Sequence, residues 1–367
     1  MIHLSSALEN IYISPLEVCN LKCHLCYTRK TRNILTNAQI VDFINKYSNF
    51  IHKSYFLNLK SILFCGGEVF LLPDFPTLVN QLLSQGIFVS LITNGTLDRL
   101  DQIKDPSNCQ ILVSLDGPQE VHDHNRGPGH FDQSLKFIQH ALQLGFPTEI
   151  MFLVTAQSYP FIDSFPKTLN KLVRADCLAP LPNRSPLRLN YITYKSPFYT
   201  DSHPLSQNTP ATAALNPAQI INLKKNYPSI PDKKFGCFQL SLQSNGQIYG
   251  CCESPYSLGK IDDHPRVYIN NFFQALDPCT HCLLNNLTLT SSTTLASHSS
   301  SDALNADSNY KFFARNHPKR SDGREHEKFH MLSRESLCHG CCAPDFLCGY
   351  KKELHLTTCQ EVVKTLK

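Results

Sequence analysis

Apolar and polar positions alternate between two periods along the first half of the chain. Asn10–Val18 reads as a strand. Thr36 then offers a helix N-cap with Gln39 three residues on, a capping-box pattern that lets side chains meet the first free N–H groups. Ile40, Phe43, Ile44 and Tyr47 follow at helical spacing and give that helix one apolar face. Leu59–Phe64 is a short apolar strand. Asp74 is the expected N-cap of a helix carrying Leu78, Val79, Leu82 and Leu83, with Gly86 where a helix-ending glycine belongs. Ile87–Ile92, Gln110–Leu115, Glu149–Val154 and Leu187–Tyr194 read as further strands, and Leu135, Ile138 and Leu142 mark another helix face.

Strands alternating with helices imply parallel pairing, and right-handed crossovers wind such units into a barrel or an open sheet. Six units are too few for a closed eight-fold barrel. The expectation is an α/β fold: a partial (β/α)6 TIM-type barrel over residues 10–195. Ligand chemistry in such folds belongs at the C-terminal ends of the strands. Residues 196–232, rich in Pro, Ser, Thr and Asn, read as a linker. A smaller Cys-rich region follows over 233–367, interrupted around 285–336 by a polar, Ser/Thr/His-rich stretch that is expected to be a mobile insertion.

Composition changes this picture mainly through cysteine. The 367 residues are 42% hydrophobic, enough for packed cores, and the formal net charge is only +4 with the basic residues dispersed. Nothing there suggests a dedicated nucleic-acid surface. No run approaches the roughly 20 apolar residues that span a bilayer, and the N-terminus lacks the pattern of a secretory signal. A cytoplasmic protein is expected. The 16 cysteines then point to metal rather than disulfides. Cys65, Cys109 and Cys177 are isolated and read as small buried hydrophobes.

Three cysteines lie at the end of the first strand: Cys19-Asn20-Leu21-Lys22-Cys23-His24-Leu25-Cys26-Tyr27. Zinc held by three thiolates and His24 is one reading. Three thiolates without a fourth protein ligand equally suit a cubane cluster with one open iron. The Cys-x3-Cys-x2-Cys spacing resembles the signature of the radical S-adenosylmethionine superfamily, with Leu25 where that family usually has an aromatic residue. The resemblance implies that Cys19, Cys23 and Cys26 hold a [4Fe–4S] cluster. Its open iron takes the amino and carboxylate groups of S-adenosylmethionine, and one electron breaks the sulfonium bond to give a 5′-deoxyadenosyl radical.

Further segments carry the resemblance in the same order. Gly66-Gly67-Glu68 follows the second strand, and paired glycines let backbone approach a ligand closely. The resemblance makes Glu68 an acceptor for the methionine ammonium, whereas the residues alone fit a strand-end turn equally well. Thr93-Asn94-Gly95 is similar to a family turn. Ser114 and Asp116, two apart on a strand, share one side and suit a ribose. Arg126 is expected in a salt bridge or against a ligand carboxylate, and His122 in a structural role.

The C-terminal cysteines resemble the SPASM extension of peptide-modifying radical enzymes, which carries auxiliary [4Fe–4S] clusters. The resemblance implies one cluster on Cys237, Cys251 and Cys342 and a second on Cys279, Cys282, Cys338 and Cys359. Cys252, Cys341 and Cys348 are left over, with Cys251 and Cys252 interchangeable, and one cluster or a zinc site is an alternative. The implied activity is hydrogen abstraction from a peptide or protein side chain, fed by an electron donor such as flavodoxin or ferredoxin. A sulfatase-type formylglycine maturase is one alternative, and a zinc- or cluster-binding regulator without catalysis is another. The chain begins almost at its first strand, so any leader recognition is expected from the cap or a separate protein. No general base is identifiable from the sequence.

Overall fold

In a computed structural model the described residues are 8–26, 28, 30–175, 187–193, 215–226, 240–250 and 257–276. The chain divides into two compact units. The larger comprises residues 13–40 and 60–230; the other comprises 1–12, 41–59 and 231–367. The strand β1 (Asn10–Ile13) and the helix α1 (Asn37–Tyr55) each have residues in both.

The larger unit is built on β2 (Ser61–Phe64), β3 (Phe88–Thr93), β4 (Cys109–Ser114), β5 (Thr148–Val154) and β6 (Arg188–Thr193). These pair in parallel in the order β6-β5-β4-β3-β2. Beyond β2, the Cys65 N–H donates to the Ile13 carbonyl at 3.1 Å. The sheet is open, as the expectation of a partial barrel requires. Helices α2 (Phe75–Ser84), α3 (Gln119–Arg126), α4 (His130–Gln143) and α5 (Phe165–Ala175) follow β2, β4 and β5. On β5 the residues Thr148, Ile150, Phe152 and Val154 are buried while Glu149, Met151 and Leu153 are half-buried, so one face is sealed by helices and the other is more open.

Local sequence chemistry explains most of these elements. Thr36 and Gln39 form the expected reciprocal cap of α1: Thr36 N–H donates to Gln39 Oε1 at 2.9 Å and Gln39 N–H to Thr36 Oγ1 at 3.2 Å. Asp74 departs from its expected role. It sits at φ 52° and makes no side-chain cap; its carbonyl accepts the Thr77 and Leu78 N–H groups instead. Gly86, at φ 76°, follows the end of α2 as expected. The buried face of α4 is Phe131, Ser134, Phe137, Ile138 and Ala141, with Leu135 and Leu142 only half-buried, so the face is rotated from the expected stripe.

Within the expected linker, Pro217–Asn226 forms helix α6, which belongs to the larger unit. Asn222 Nδ2 donates to the Tyr159 hydroxyl at 2.7 Å, and Leu223 is buried. In the other unit, β7 (Ser241–Leu242), β8 (Gln247–Tyr249) and β9 (Ser257–Lys260) form an antiparallel meander followed by α7 (Pro265–Leu276). There Tyr47 stacks on Tyr268 with ring centres 6.5 Å apart, and its hydroxyl donates to Leu8 O at 2.6 Å. Among the described residues no helix is long and apolar enough to cross a membrane.

Candidate active site

Because β2 to β5 are parallel, their C-terminal ends share one edge of the larger unit. Gly66–Glu68 leaves β2 there, Asn94 leaves β3, and Asp116 leaves β4. The loop bearing Cys19, Cys23 and Cys26 is fastened to each of these ends.

The first fastening is made by the paired glycines. Gly67 N–H donates to Leu16 O at 2.8 Å and Glu68 N–H to Val18 O at 3.0 Å. A Cβ at Gly66, whose φ is 147°, would lie 2.3 Å from Leu16 O, and one at Gly67 would lie 2.0 Å from Val18 O. The close backbone approach expected at this pair is therefore made to the chain's own segment entering Cys19. Glu68 follows the pair. It is fully buried; Oε1 accepts from Thr93 Oγ1 at 2.8 Å and Phe70 N–H at 3.2 Å, and Oε2 accepts Asn94 N–H at 2.8 Å. Burial pushes its carboxyl up, and these donors oppose the shift. Glu68 thus ties β2 to β3.

Asn94 supplies the second fastening. Its Nδ2 donates to Asn20 Oδ1 at 2.9 Å and lies 3.8 Å from Cys19 Sγ, while Asn20 Nδ2 donates to Thr96 Oγ1 at 2.7 Å. Leu21 N–H donates to Cys19 Sγ at 3.4 Å, and Lys30 Nζ to Leu21 O at 2.7 Å.

The third comes from α3, a helix whose polar sequence hides it from periodicity. Ser114 ends β4 half-buried, and Asp116 lies past the strand, so the expected shared strand face is absent. The Asp116 carboxylate receives Arg126 Nε at 2.7 Å, Arg126 Nη2 at 2.9 Å and Asn125 Nδ2 at 2.5 Å. It is 2% exposed, so the ion pair is a buried fork rather than a surface contact. Burial alone would raise this carboxyl; the Arg126 guanidinium overcomes it and holds the group below the ordinary carboxylate value. Asn125, which the sequence reading did not single out, then reaches the cysteine loop. Its carbonyl accepts His24 N–H at 2.8 Å and its Oδ1 accepts Leu25 N–H at 2.9 Å.

His122 is structural, as expected. It is fully buried, and its Nδ1 accepts Asp116 N–H at 3.2 Å. Burial lowers its pKa to about 4. A histidine neutral in the fold but free to ionise when unfolded contributes stability above pH 6.5 that falls away toward pH 4. Replacing His122 by Gln should therefore flatten the loss of stability between pH 6.5 and 4, measured as urea midpoints across that range. An unchanged slope would rule this role out.

The donor set fits an iron–sulfur cluster. Cys19, Cys23 and Cys26 are free thiols, half-buried in the loop. Burial pushes the Cys19 thiol up and the Cys23 thiol to about 11, while the Arg126 charge acts the other way on Cys23. A metal cation in place of the proton resolves that cost. Among the described residues, no three His, Cys, Asp or Glu side chains converge on a single ion. A cubane needs no such convergence, since each iron corner takes its own thiolate. Cys65 and Cys109 are buried, as expected of small hydrophobes. Cys177, Tyr27 and all the C-terminal cysteines, Cys237, Cys251, Cys279, Cys282, Cys338, Cys342 and Cys359 included, lie outside the described residues.

Residues 13–160 match the profile of the Radical SAM superfamily. The chain is 31% identical over 149 residues to Fe-coproporphyrin III synthase of Methanosarcina barkeri, covering 38% of this chain and 35% of that protein. It is 26% identical over 315 residues to AdoMet-dependent heme synthase of Oleidesulfovibrio alaskensis, covering 73% and 78%. It is 27% identical over 155 residues to the mycofactocin maturase MftC of Mycobacterium tuberculosis, covering 40% and 38%. The chain therefore spans little more than a third of the first and third of these relatives. In fold it is similar to anSMEcpe with bound AdoMet and Cp18Cys peptide, with a TM-score of 0.54 at 20% identity over 72% of this chain and 79% of that one. Streptococcus suis SuiB bound to S-adenosylmethionine gives 0.51 at 16% identity over 69% and 63%. Residues 13–160 are thus a Radical SAM domain.

Proposed function

We propose that this chain is a radical enzyme whose N-terminal cluster, held by Cys19, Cys23 and Cys26, cleaves S-adenosylmethionine so that a hydrogen is abstracted from a peptide or protein side chain. The observation that carries the reading is the threefold fastening of the cysteine loop, by Gly67, Asn94 and Asn125, at the C-terminal edge of the parallel sheet. When bound, the cluster supplies the electron that breaks the sulfonium C–S bond of S-adenosylmethionine. The chain's own residues hold the three sulfurs at that edge. Ser114, half-buried at the end of β4, and the Gly66–Gly67 backbone remain the candidates to meet the cosubstrate. Asp116 and Arg126 act by pinning α3 over the loop.

The peptide substrate is supported by relatives named as a mycofactocin maturase and as a bacteriocin subtilosin biosynthesis protein, AlbA of Bacillus subtilis. It is also supported by the structural likeness to a protein that carries a bound peptide. Auxiliary clusters on the C-terminal cysteines, with flavodoxin or ferredoxin as donor, belong to the same reading. A tetrapyrrole substrate is the second reading, favoured because the heme synthase match extends over 73% of this chain.

Anaerobic reconstitution followed by dithionite and S-adenosylmethionine should yield 5′-deoxyadenosine. Replacing Cys19, Cys23 and Cys26 together by Ala should abolish that product while leaving iron at the C-terminal cysteines. A fully loaded protein that forms no 5′-deoxyadenosine would sink the radical reading. Stimulation by Fe-coproporphyrin III with a change in its mass, and none by Cys- or Ser-containing peptides, would favour the tetrapyrrole.

A further inference from the structure

Cys19 and Cys23 stand at the same offset from a following amide, yet only one receives it. Leu21 N–H, two residues after Cys19, donates to Cys19 Sγ at 3.4 Å. Leu25 N–H, two residues after Cys23, donates instead to Asn125 Oδ1 at 2.9 Å. The other amides of the turn also find oxygen: His24 N–H donates to Asn125 O at 2.8 Å and Cys26 N–H to Cys23 O at 3.3 Å. Asn125 is 5% exposed and cannot turn away, because its Nδ2 is held by Asp116, itself gripped by Arg126.

Donors to the sulfurs of an iron–sulfur cluster stabilise the reduced form, which carries one more negative charge, and so raise the reduction potential. We propose that Asn125 is a positioning residue that withholds the Leu25 amide from the Cys23 sulfur and so keeps the cluster a strong reductant. The inference rests on the reading that Cys19, Cys23 and Cys26 hold the cluster. It assigns the residue a direction of effect: without its side-chain acceptor, the Leu25 amide is released toward Cys23, the geometry already seen at Cys19. A low potential suits the transfer of an electron to a sulfonium, which accepts one reluctantly.

The test is Asn125→Leu, which keeps the branched outline of the side chain and removes both side-chain hydrogen bonds. The reconstituted full chain is titrated anaerobically, and the S-adenosylmethionine-responsive signal is followed by electron paramagnetic resonance. A positive shift of its midpoint potential, with altered g values and parental iron content, is expected. An unchanged potential overturns the proposal. So does loss of iron in which the remaining cluster keeps the parental potential, because that assigns Asn125 to loop folding alone. The Cys19, Cys23 and Cys26 triple Ala variant separates the two ideas: if the responsive signal survives there, the cluster assignment itself has failed. Should Asn125→Leu hold no iron, residue-resolved hydrogen exchange on the parent decides. A slowly exchanging Leu25 amide is expected, and rapid exchange overturns the proposal.

Discussion

Replacing Gly67 by Ala should strip the N-terminal cluster from a protein that still folds. The added Cβ would meet Val18 O at 2.0 Å, Val18 C at 2.5 Å and Glu17 O at 2.7 Å. All three are backbone atoms, so no side chain can swing aside. Overpacking of this kind costs about 1–3 kcal/mol, which a domain of this size can bear. The strand β2 is buried on all four of its residues, whereas the cysteine loop is half-exposed, so the loop is the partner that gives way. Displacing Val18 carries Cys19 with it and breaks the Glu68 N–H to Val18 O bond. The expected result is loss of most of the S-adenosylmethionine-responsive signal with the C-terminal iron retained. Gly86→Ala is the comparison: that glycine has φ 76° but no neighbouring atom within 4 Å. It should cost about 1 kcal/mol in backbone strain and keep the cluster. If Gly67→Ala reconstitutes with a parental signal, the glycine pair does not position the loop.

The second large effect is expected at Arg126. Changing it to Met leaves the Asp116 carboxylate buried with the Asn125 side chain as its remaining hydrogen-bond donor. Breaking one side of a buried pair destabilises by about 3–5 kcal/mol, because the remaining charge stays desolvated. Urea unfolding of the apoprotein should show a markedly lower midpoint. Asp116→Asn combined with Arg126→Met should recover much of the loss, since no buried charge is then left over. The pH dependence gives the sign. In the parent, Asp116 is held below its ordinary value, so its contribution is complete above about pH 4 and is lost as pH falls through the folded value. In Arg126→Met the carboxyl rises, and acidification then relieves the buried charge. The gap in stability between parent and variant should therefore narrow toward low pH; a gap that widens would contradict the ion-pair account.

Much of the site was legible because it is local. Thr36 and Gln39 announced the start of α1, and the apolar runs at 59–64, 87–92, 110–115 and 149–154 marked strands to within two residues. The three cysteines needed no fold to be noticed. α3 was not legible, because QEVHDHNR has no apolar stripe; its buried positions are His122 and Asn125, polar residues three apart that face the loop and Asp116. Only the sequence spacing of such a pair could have flagged it. α5 did carry a signal, with Phe165, Leu169 and Val173 at intervals of four, all buried.

The sequence by itself determined the order of the parallel strands and the three thiols that follow the first strand, which ends at Ile13 and not at Val18 as expected, because those follow from periodicity and from spacing within a few residues. Only the tertiary structure decided what the polar residues around them do. Glu68 became a buried tie to β3, Asp116 became half of a buried ion pair, and Asn125 became the clamp on the loop. The reason is physical. A carboxylate or an amide accepts whatever donor the fold brings within about 3 Å, and those donors lie as far as 100 residues away along the chain.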